Sequence, residues 1–395
     1  MDHVLQEAAL LDRSGTDSLK WDALADTFGR EDLLPLWVAD MDFKTPPCVR
    51  EALHQAVDQG AFGYYKVPQR FYDSILTWEE TRHGVRWEQD WIRTTNGVVS
   101  GLFHLVQAVT EPGAGILLLT PVYYPFYSII EKTGRRTVCC PLREERGIYT
   151  VDMAAFEETI RKEKPDFFLL CSPHNPVGRV WTREELAAVG QIAVKHDLWL
   201  VSDEIHCDLV RQGVRHTPMG KVLPDYRKLI TCMSASKTFN MAGLMFSDII
   251  IRDAAEREHF RGRDKIAGML NPLSIAAHKA AYEHCGDWLD QLKTYLDENF
   301  RFLDEFLKTE LPEAVFQLPE ATYLAWVDMS RCLPDVEDLP GFFANEAGVL
   351  LEGGDSLFVG NAKGYIRLNL AMPRSIIATG LMRMRGAIRR HRAQQ

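Results

Sequence analysis

Five short runs of almost purely apolar residues constrain this chain more than any other feature. They are "GILLLT" (115–120), "DFFLLC" (166–171), "LWLVSD" (198–203), "LITCMS" (229–234) and "SDIIIR" (247–252). A strand that is apolar at successive rather than alternate positions has both faces buried, as in a sheet covered by helices on two sides. Helical stretches separate the runs. In "TREELAAVGQIAVKHD" (182–197), Thr182 is placed to cap a helix and Glu185, three residues on, completes a reciprocal capping pair. Strands alternating with helices specify an α/β fold, a large domain with a mostly parallel sheet sandwiched by helices.

The pattern changes after about residue 285. "DWLDQLKTYLDENFRFLDEFLKTEL" (287–311) carries Trp288, Leu292, Tyr295, Leu296, Phe302, Leu303 and Phe306 at helical spacing. "TYLAWVDM" and "GYIRLNLAM" then alternate as strands with one buried face. A chain of 395 residues exceeds what one core usually holds. The expected division is an N-terminal arm (1–45) joining a small α+β domain (286–395), with a large domain (46–285) between them. The charged run 252–265 reads as a solvated helix face.

A formal charge of −10 excludes the basic face that a nucleic-acid binder needs. The N-terminal residues lack an uninterrupted apolar segment, so no signal peptide is read there. The most apolar stretch is too short to span a bilayer and contains two prolines, so no membrane association is expected. The eight cysteines show no repeated C-x-x-C and sit mostly in apolar segments. Buried reduced thiols in a cytoplasmic protein are the expectation.

Ligands of an open parallel sheet bind at the carboxyl ends of its strands. The residues following the runs are therefore the candidates: Tyr123, Asn175, Asp203 and Lys237, joined by a helix start at Gly97 capped by Thr95 or Asn96. Each is ordinary alone, since such lysines are mostly at the surface, such aspartates mostly cap helices and Asn-Pro is a common turn. Together they match one ligand. A helix N-terminus binds phosphate, and a lysine in a confined pocket has a nucleophilic amine that can condense with an aldehyde. A carboxylate keeps a pyridine nitrogen protonated, an aromatic ring stacks on the pyridine, and an amide bonds a phenolic oxygen. That ligand is pyridoxal 5′-phosphate.

"LVSDEIHCDL" (200–209) first suggests a metal site, because Asp203, Glu204, His206, Cys207 and Asp208 all carry ligand atoms. Adjacent residues cannot converge on one ion and no metal-ligand spacing is present, so no metal is expected there.

"SPHNPVG", "SDEIHCDL" and "SASKTFNMAGL" resemble the signature blocks of fold-type I pyridoxal-phosphate enzymes of the class I/II aminotransferase kind. "LLPLWVADMDFKTPP", "FGYY", "TNGVVSGL", "TPVYYPFY" and "YIRLNLAMPRS" are similar to the cystathionine β-lyase, or cysteine-S-conjugate β-lyase (C–S lyase), branch. The resemblance runs from about residue 18 to near the C-terminus. It implies the aspartate-aminotransferase-like fold and an α,β-elimination that releases a thiol, pyruvate and ammonia. Lys237 would hold the cofactor covalently and act as the base, Asp203 would pair with the ring nitrogen, Asn175 would bond the ring oxygen and Tyr123 would stack. Val98 and Val99 N–H groups after Gly97, with the Ser234 and Ser236 hydroxyls, would hold the phosphate. Tyr64 would reach that phosphate from the second subunit of a homodimer. Arg367 would clamp the substrate carboxylate with help from Asn175, Tyr123 and the backbone at Ala39.

Two departures from aminotransferases are visible. His206 replaces a tyrosine near the ring, and Met245 stands where a phosphate-binding arginine is common, eight residues after the lysine. Met245 favours a lyase, which returns to its lysine at every turnover. The alternatives are an aminotransferase of a neutral or aromatic amino acid, and a scaffold with an added regulatory binding role.

Overall fold

The computed structural model describes residues 11–263, 270–355 and 357–395. The last two positions of the charged run 252–265 thus lie outside the described residues. A seven-stranded sheet forms from β1 (Ile92–Thr95), β2 (Gly115–Thr120), β3 (Arg136–Pro141), β4 (Phe167–Cys171), β5 (Trp199–Asp203), β6 (Leu229–Met233) and β7 (Ser247–Ile251), in the order β1-β7-β6-β5-β4-β2-β3. All five apolar runs are strands of this sheet, and every residue of β2, β4, β5, β6 and β7 is buried.

Neighbours from β3 across to β6 pair in parallel, whereas β7 runs antiparallel to both β1 and β6. The run "SDIIIR" reports burial on two faces, which an interior strand has in either direction.

The helices that position the site are α1 (Pro47–Asp58), α2 (Gln69–Trp78), α3 (Val98–Val109), α4 (Arg183–Lys195), α5 (Ala235–Thr238), α6 (Pro272–His284), α7 (Gly286–Glu310) and α8 (Arg374–Ala393). Thr182 and Glu185 form the expected reciprocal cap on α4. The expected cap of α3 differs. Gly97 holds the N-cap position at φ +96°, a left-handed conformation that glycine adopts without a side-chain clash. The Thr95 hydroxyl instead faces that of Ser247 across the β1–β7 pair, at 2.6 Å.

A second, antiparallel sheet is built from β8 (Val315–Phe316), β9 (Leu324–Asp328), β10 (Glu352–Gly353) and β11 (Tyr365–Asn369), in the order β8-β9-β11-β10. Helix α7 joins the two regions. Trp288, Leu289, Leu292 and Leu296 lie in one apolar core, and Phe300, Leu303 and Leu307 in another. Tyr295, Phe302 and Phe306, expected on the buried stripe, flank it half-buried, while Leu289, Phe300 and Leu307 complete it.

The N-terminal segment threads between the regions. Leu34–Pro35 pairs in parallel with Val349–Leu350. Lys20 is fully buried with its ammonium 2.8 Å from Asp42 and 3.1 Å from the Asp40 carbonyl. A buried charge of this kind needs a partner, and Asp42 provides it.

One cysteine expectation is corrected. Cys48 on α1 and Cys285 after α6 form a disulfide, because the packing of α1 on α6 brings two residues 237 apart in sequence together. The remaining six thiols are free, five of them buried. Among the described residues, no helix is long and apolar enough to cross a membrane.

Leu292 is completely buried where α7 crosses the first core. Leu292→Ala is expected to cost about 2–5 kcal/mol and lower the thermal midpoint. Met382→Ala, at an exposed position of α8, is expected to change stability by no more than about 0.5 kcal/mol.

Candidate active site

A cavity of about 480 Å³ opens at the carboxyl ends of the central strands, lined by Ala39, Gly97, Val98, Val99, Tyr123, Asn175, Asp203, His206, Lys237 and Met245, and also by Asn96, Ser100 and Lys132. Helix α3 presents its first turn here. Its leading N–H groups have no partner within the helix, and the dipole adds partial positive charge.

Asp203 ends β5 and accepts a 3.2 Å bond from the Ile205 N–H. Burial raises its pKa to about 7 despite that bond and the pull of Lys237. Such a carboxylate lacks a cation, which a protonated ring nitrogen would supply. His206 is buried beside it with Nδ1 unpartnered, and burial, reinforced by Lys237 and Arg367, lowers its pKa to about 3. It is a neutral imidazole at pH 7, with its ring edge-on to Tyr323 at 6.3 Å.

Lys237 lies on α5, a single turn capped by Ser234, whose oxygen accepts from the Ser236 N–H. Its ammonium donates to the Ala39 carbonyl at 2.7 Å. Burial lowers its pKa to about 8, only partly opposed by Asp40 and Asp203. About a tenth of the amine is therefore uncharged at pH 7, some hundreds of times more than for an ordinary lysine.

The position of Ala39 is itself constructed. Asn369 on β11 donates to the carbonyls of Val38 and Asp40 at 2.6 and 2.7 Å. On the other side Asn240, three residues after Lys237, accepts from the Met41 N–H and donates to the carbonyls of Met41 and Phe43. Two asparagines thus fix residues 38–43 against the small sheet and the loop after Lys237, and Tyr323 donates a second bond to the Ala39 carbonyl at 3.0 Å.

Arg367 departs from the half-exposed strand position expected of an alternating segment. It is 1% exposed and stands one residue behind the cavity wall, its Nη1 donating 3.1 Å to Asn175. Glu352, directly opposite it in the β10–β11 register, forms an ion pair with its guanidinium, and the Phe358 ring lies 5.3 Å away. Burial lowers its pKa to about 10, so it stays charged.

The structure brings together all but three of the expected site residues in or directly behind this cavity. Ser234 and Ser236 are not on the wall. The Ser234 hydroxyl is already engaged, accepting from the Ser236 N–H of its own turn and donating to the Phe246 carbonyl at 2.7 Å. Tyr64 is 94% exposed and does not line the cavity of its own chain. Tyr323, Glu352, Asn240 and Asn369 were missed. Their roles are set by strand register and by the returning N-terminal segment, and only the Asn in "IRLNLA" offered a polar signal inside an apolar strand. The stretch 200–209 divides by face: Asp203 and His206 face the cavity, whereas Cys207 and Asp208 face away, toward His83.

Residues 31–382 match the family described as aminotransferase class I and II. The chain belongs to that family. It is 40% identical to cystathionine beta-lyase PatB of Bacillus subtilis, over 95% of this chain and 98% of that one. It is 34% identical to protein MalY of Escherichia coli, over 96% and 98%. The PLP-bound C-S lyase of Staphylococcus hominis superposes with a TM-score of 0.92 at 40% identity, covering 96% of this chain and 97% of that one. Cystalysin of Treponema denticola, which contains pyridoxal 5′-phosphate, gives 0.91 at 36% identity, covering 96% and 97%. The cavity fits that cofactor. A buried carboxylate lacks a cation, a histidine nitrogen is unpartnered, a helix N-terminus is open, and a lysine of lowered pKa stands among them.

In the cofactor-free protein, Lys237 is expected to react with an amine-directed acylating reagent with a midpoint near pH 8, against 10.5 for an unperturbed lysine. Peptide mass spectrometry across a pH series measures this. A midpoint near 10.5 would remove the burial argument.

Proposed function

We propose that this chain is a pyridoxal-phosphate-dependent carbon–sulfur β-lyase that converts cystathionine or a related S-substituted cysteine to a thiol, pyruvate and ammonia. The observation that carries the reading is the Lys237 amine, depressed to about pH 8 and facing the same cavity as Asp203 and Asn175. The near-full-length likeness to proteins named as C-S lyases supports it.

When bound, the cofactor supplies an electron-withdrawing ring that stabilises negative charge at the substrate α-carbon. The chain supplies the rest. The Val98 and Val99 N–H groups at the start of α3 would hold the phosphate. Asp203 would keep the ring nitrogen protonated, Asn175 would bond the ring oxygen and Tyr123 would pack against the ring, all three lining the cavity. Arg367, oriented by Glu352 and Asn175, holds the substrate carboxylate. Lys237 anchors the cofactor and then removes the α-proton. The carbon–sulfur bond breaks, and the departing thiolate takes a proton from Lys237 or a cavity tyrosine. Water converts the remaining three-carbon fragment to pyruvate and ammonia.

The working unit in this reading is a homodimer. Tyr64, with its neighbours Phe62 and Tyr65, stands on an exposed aromatic segment, and Tyr64 reaches the phosphate of the partner's site. In the same reading residues 46–285 form the cofactor domain, and 1–45 join the small domain 286–395.

Incubation with cystathionine and no keto-acid acceptor is expected to yield pyruvate, ammonia and thiol in equal amounts. A keto acid retaining the substrate's sulfur, formed only when an acceptor is added, would establish an aminotransferase instead. Arg367→Lys keeps the charge but loses the planar fork. It is expected to raise KM for cystathionine by about tenfold or more, a loss of about 1.4 kcal/mol, with the cofactor absorbance unchanged.

A further inference from the structure

A second cavity, of about 550 Å³, lies behind the active site, between the segment after α2, the loop after β5 and helix α7. Its wall gathers Arg82, His83, Arg215, His216, Lys221 and Lys293 from separate parts of the chain. This concentration of basic side chains runs against a net charge of −10.

The carboxylates around it are already committed. Asp290 pairs with Arg82 at 2.8 Å. Asp208 accepts from His83 at 2.9 Å, from the Trp78 indole at 3.1 Å and from the Thr238 hydroxyl at 2.9 Å. Glu204 accepts from Ser202 and the Met219 N–H and pairs with His216. Glu79, behind them, is raised by burial to about 8. Arg215, Lys221 and Lys293 form no ion pair among the described residues, and the Lys221 ammonium reaches only the His83 carbonyl. His216 Nδ1 is buried without a partner in the same wall.

His83, Cys207 and Asp208 hold ligand atoms within 4.8 Å of one another, as a metal site would. The occupied Asp208 oxygens and the surrounding cations oppose a divalent ion there, and burial holds the Cys207 thiol well above its ordinary pKa. The same surroundings attract negative charge.

We propose that this cavity binds a compact multivalent anion bearing phosphate or carboxylate groups. Arg215, Lys221 and Lys293 supply the charge, and His216 supplies a hydrogen-bonding nitrogen. The site is separate from the cofactor's phosphate cradle on α3. It adjoins the catalytic turn, because the Asp208 carboxylate at its floor holds Thr238, the residue after Lys237.

The test is isothermal titration of the cofactor-loaded enzyme, whose main anion site is filled, with pyrophosphate and separately with citrate. Saturable binding of at least one, at one per chain and weakening as salt is raised, is expected. The double substitution Arg215→Glu with Lys293→Glu is expected to weaken it at least tenfold while leaving the cofactor absorbance unchanged. The stronger of the two titrants distinguishes a phosphate from a polycarboxylate ligand. Absence of saturable binding by both anions would overturn the proposal. So would binding that the double substitution leaves intact, or zinc binding at His83, Cys207 and Asp208 with no anion response. None of these results would bear on the lyase assignment, which rests on the other cavity.

Discussion

The rest of the site depends on one hydrogen bond, from the Lys237 ammonium to the Ala39 carbonyl. Desolvation makes a buried lysine a usable amine, and a neutral acceptor holds it in place without restoring its charge as a carboxylate would. Asp40 and Asp203 are near enough to moderate the shift and leave it at about 8. The fold is arranged to deliver that carbonyl. Asn369 fixes its segment from the small sheet, Asn240 fixes it from the lysine's own loop, and the buried Lys20–Asp42 pair anchors it further. Three separate parts of the chain converge on the short segment that carries this oxygen, so burial of Lys237 is a property of the assembled molecule.

The same logic of buried charge extends along the rim. Asp203 and Arg367 both sit where water cannot pay their hydration. Asp203 responds with a raised pKa, and Arg367 by taking Glu352 and Asn175 as partners. A cavity with an under-compensated carboxylate at one end and an open helix N-terminus at the other is complementary to a ligand with a protonated ring nitrogen and a phosphate. This pre-organisation lets the chain position such a ligand by groups it already holds in place.

Five strands of the large sheet were legible because they are apolar almost throughout, which burial on two faces demands; β1 and β3, partly exposed, carry no such signal. The strand-end residues Asn175, Asp203 and Lys237 were legible because this topology sends ligands to that edge. Strand direction was not, since β7 is as apolar as its parallel neighbours. Nor was the buried state of Arg367, because an alternating segment looks half-exposed until Glu352 and Asn175 are seen beside it. Tyr323 and the two asparagines act through backbone atoms of a segment some 200 or more residues away in sequence, and nothing local marks them. The Cys48–Cys285 bond was hidden for the same reason.

The central claim, that Lys237 is the covalent anchor of the cofactor, is tested most directly by reducing the pyridoxal-phosphate-loaded enzyme with borohydride and locating the added mass by peptide sequencing. Lys132 also lines the cavity and provides an internal control. The account predicts the phosphopyridoxyl group on Lys237, with none on Lys132. Modification of Lys132 or of another lysine, with Lys237 untouched, would contradict it.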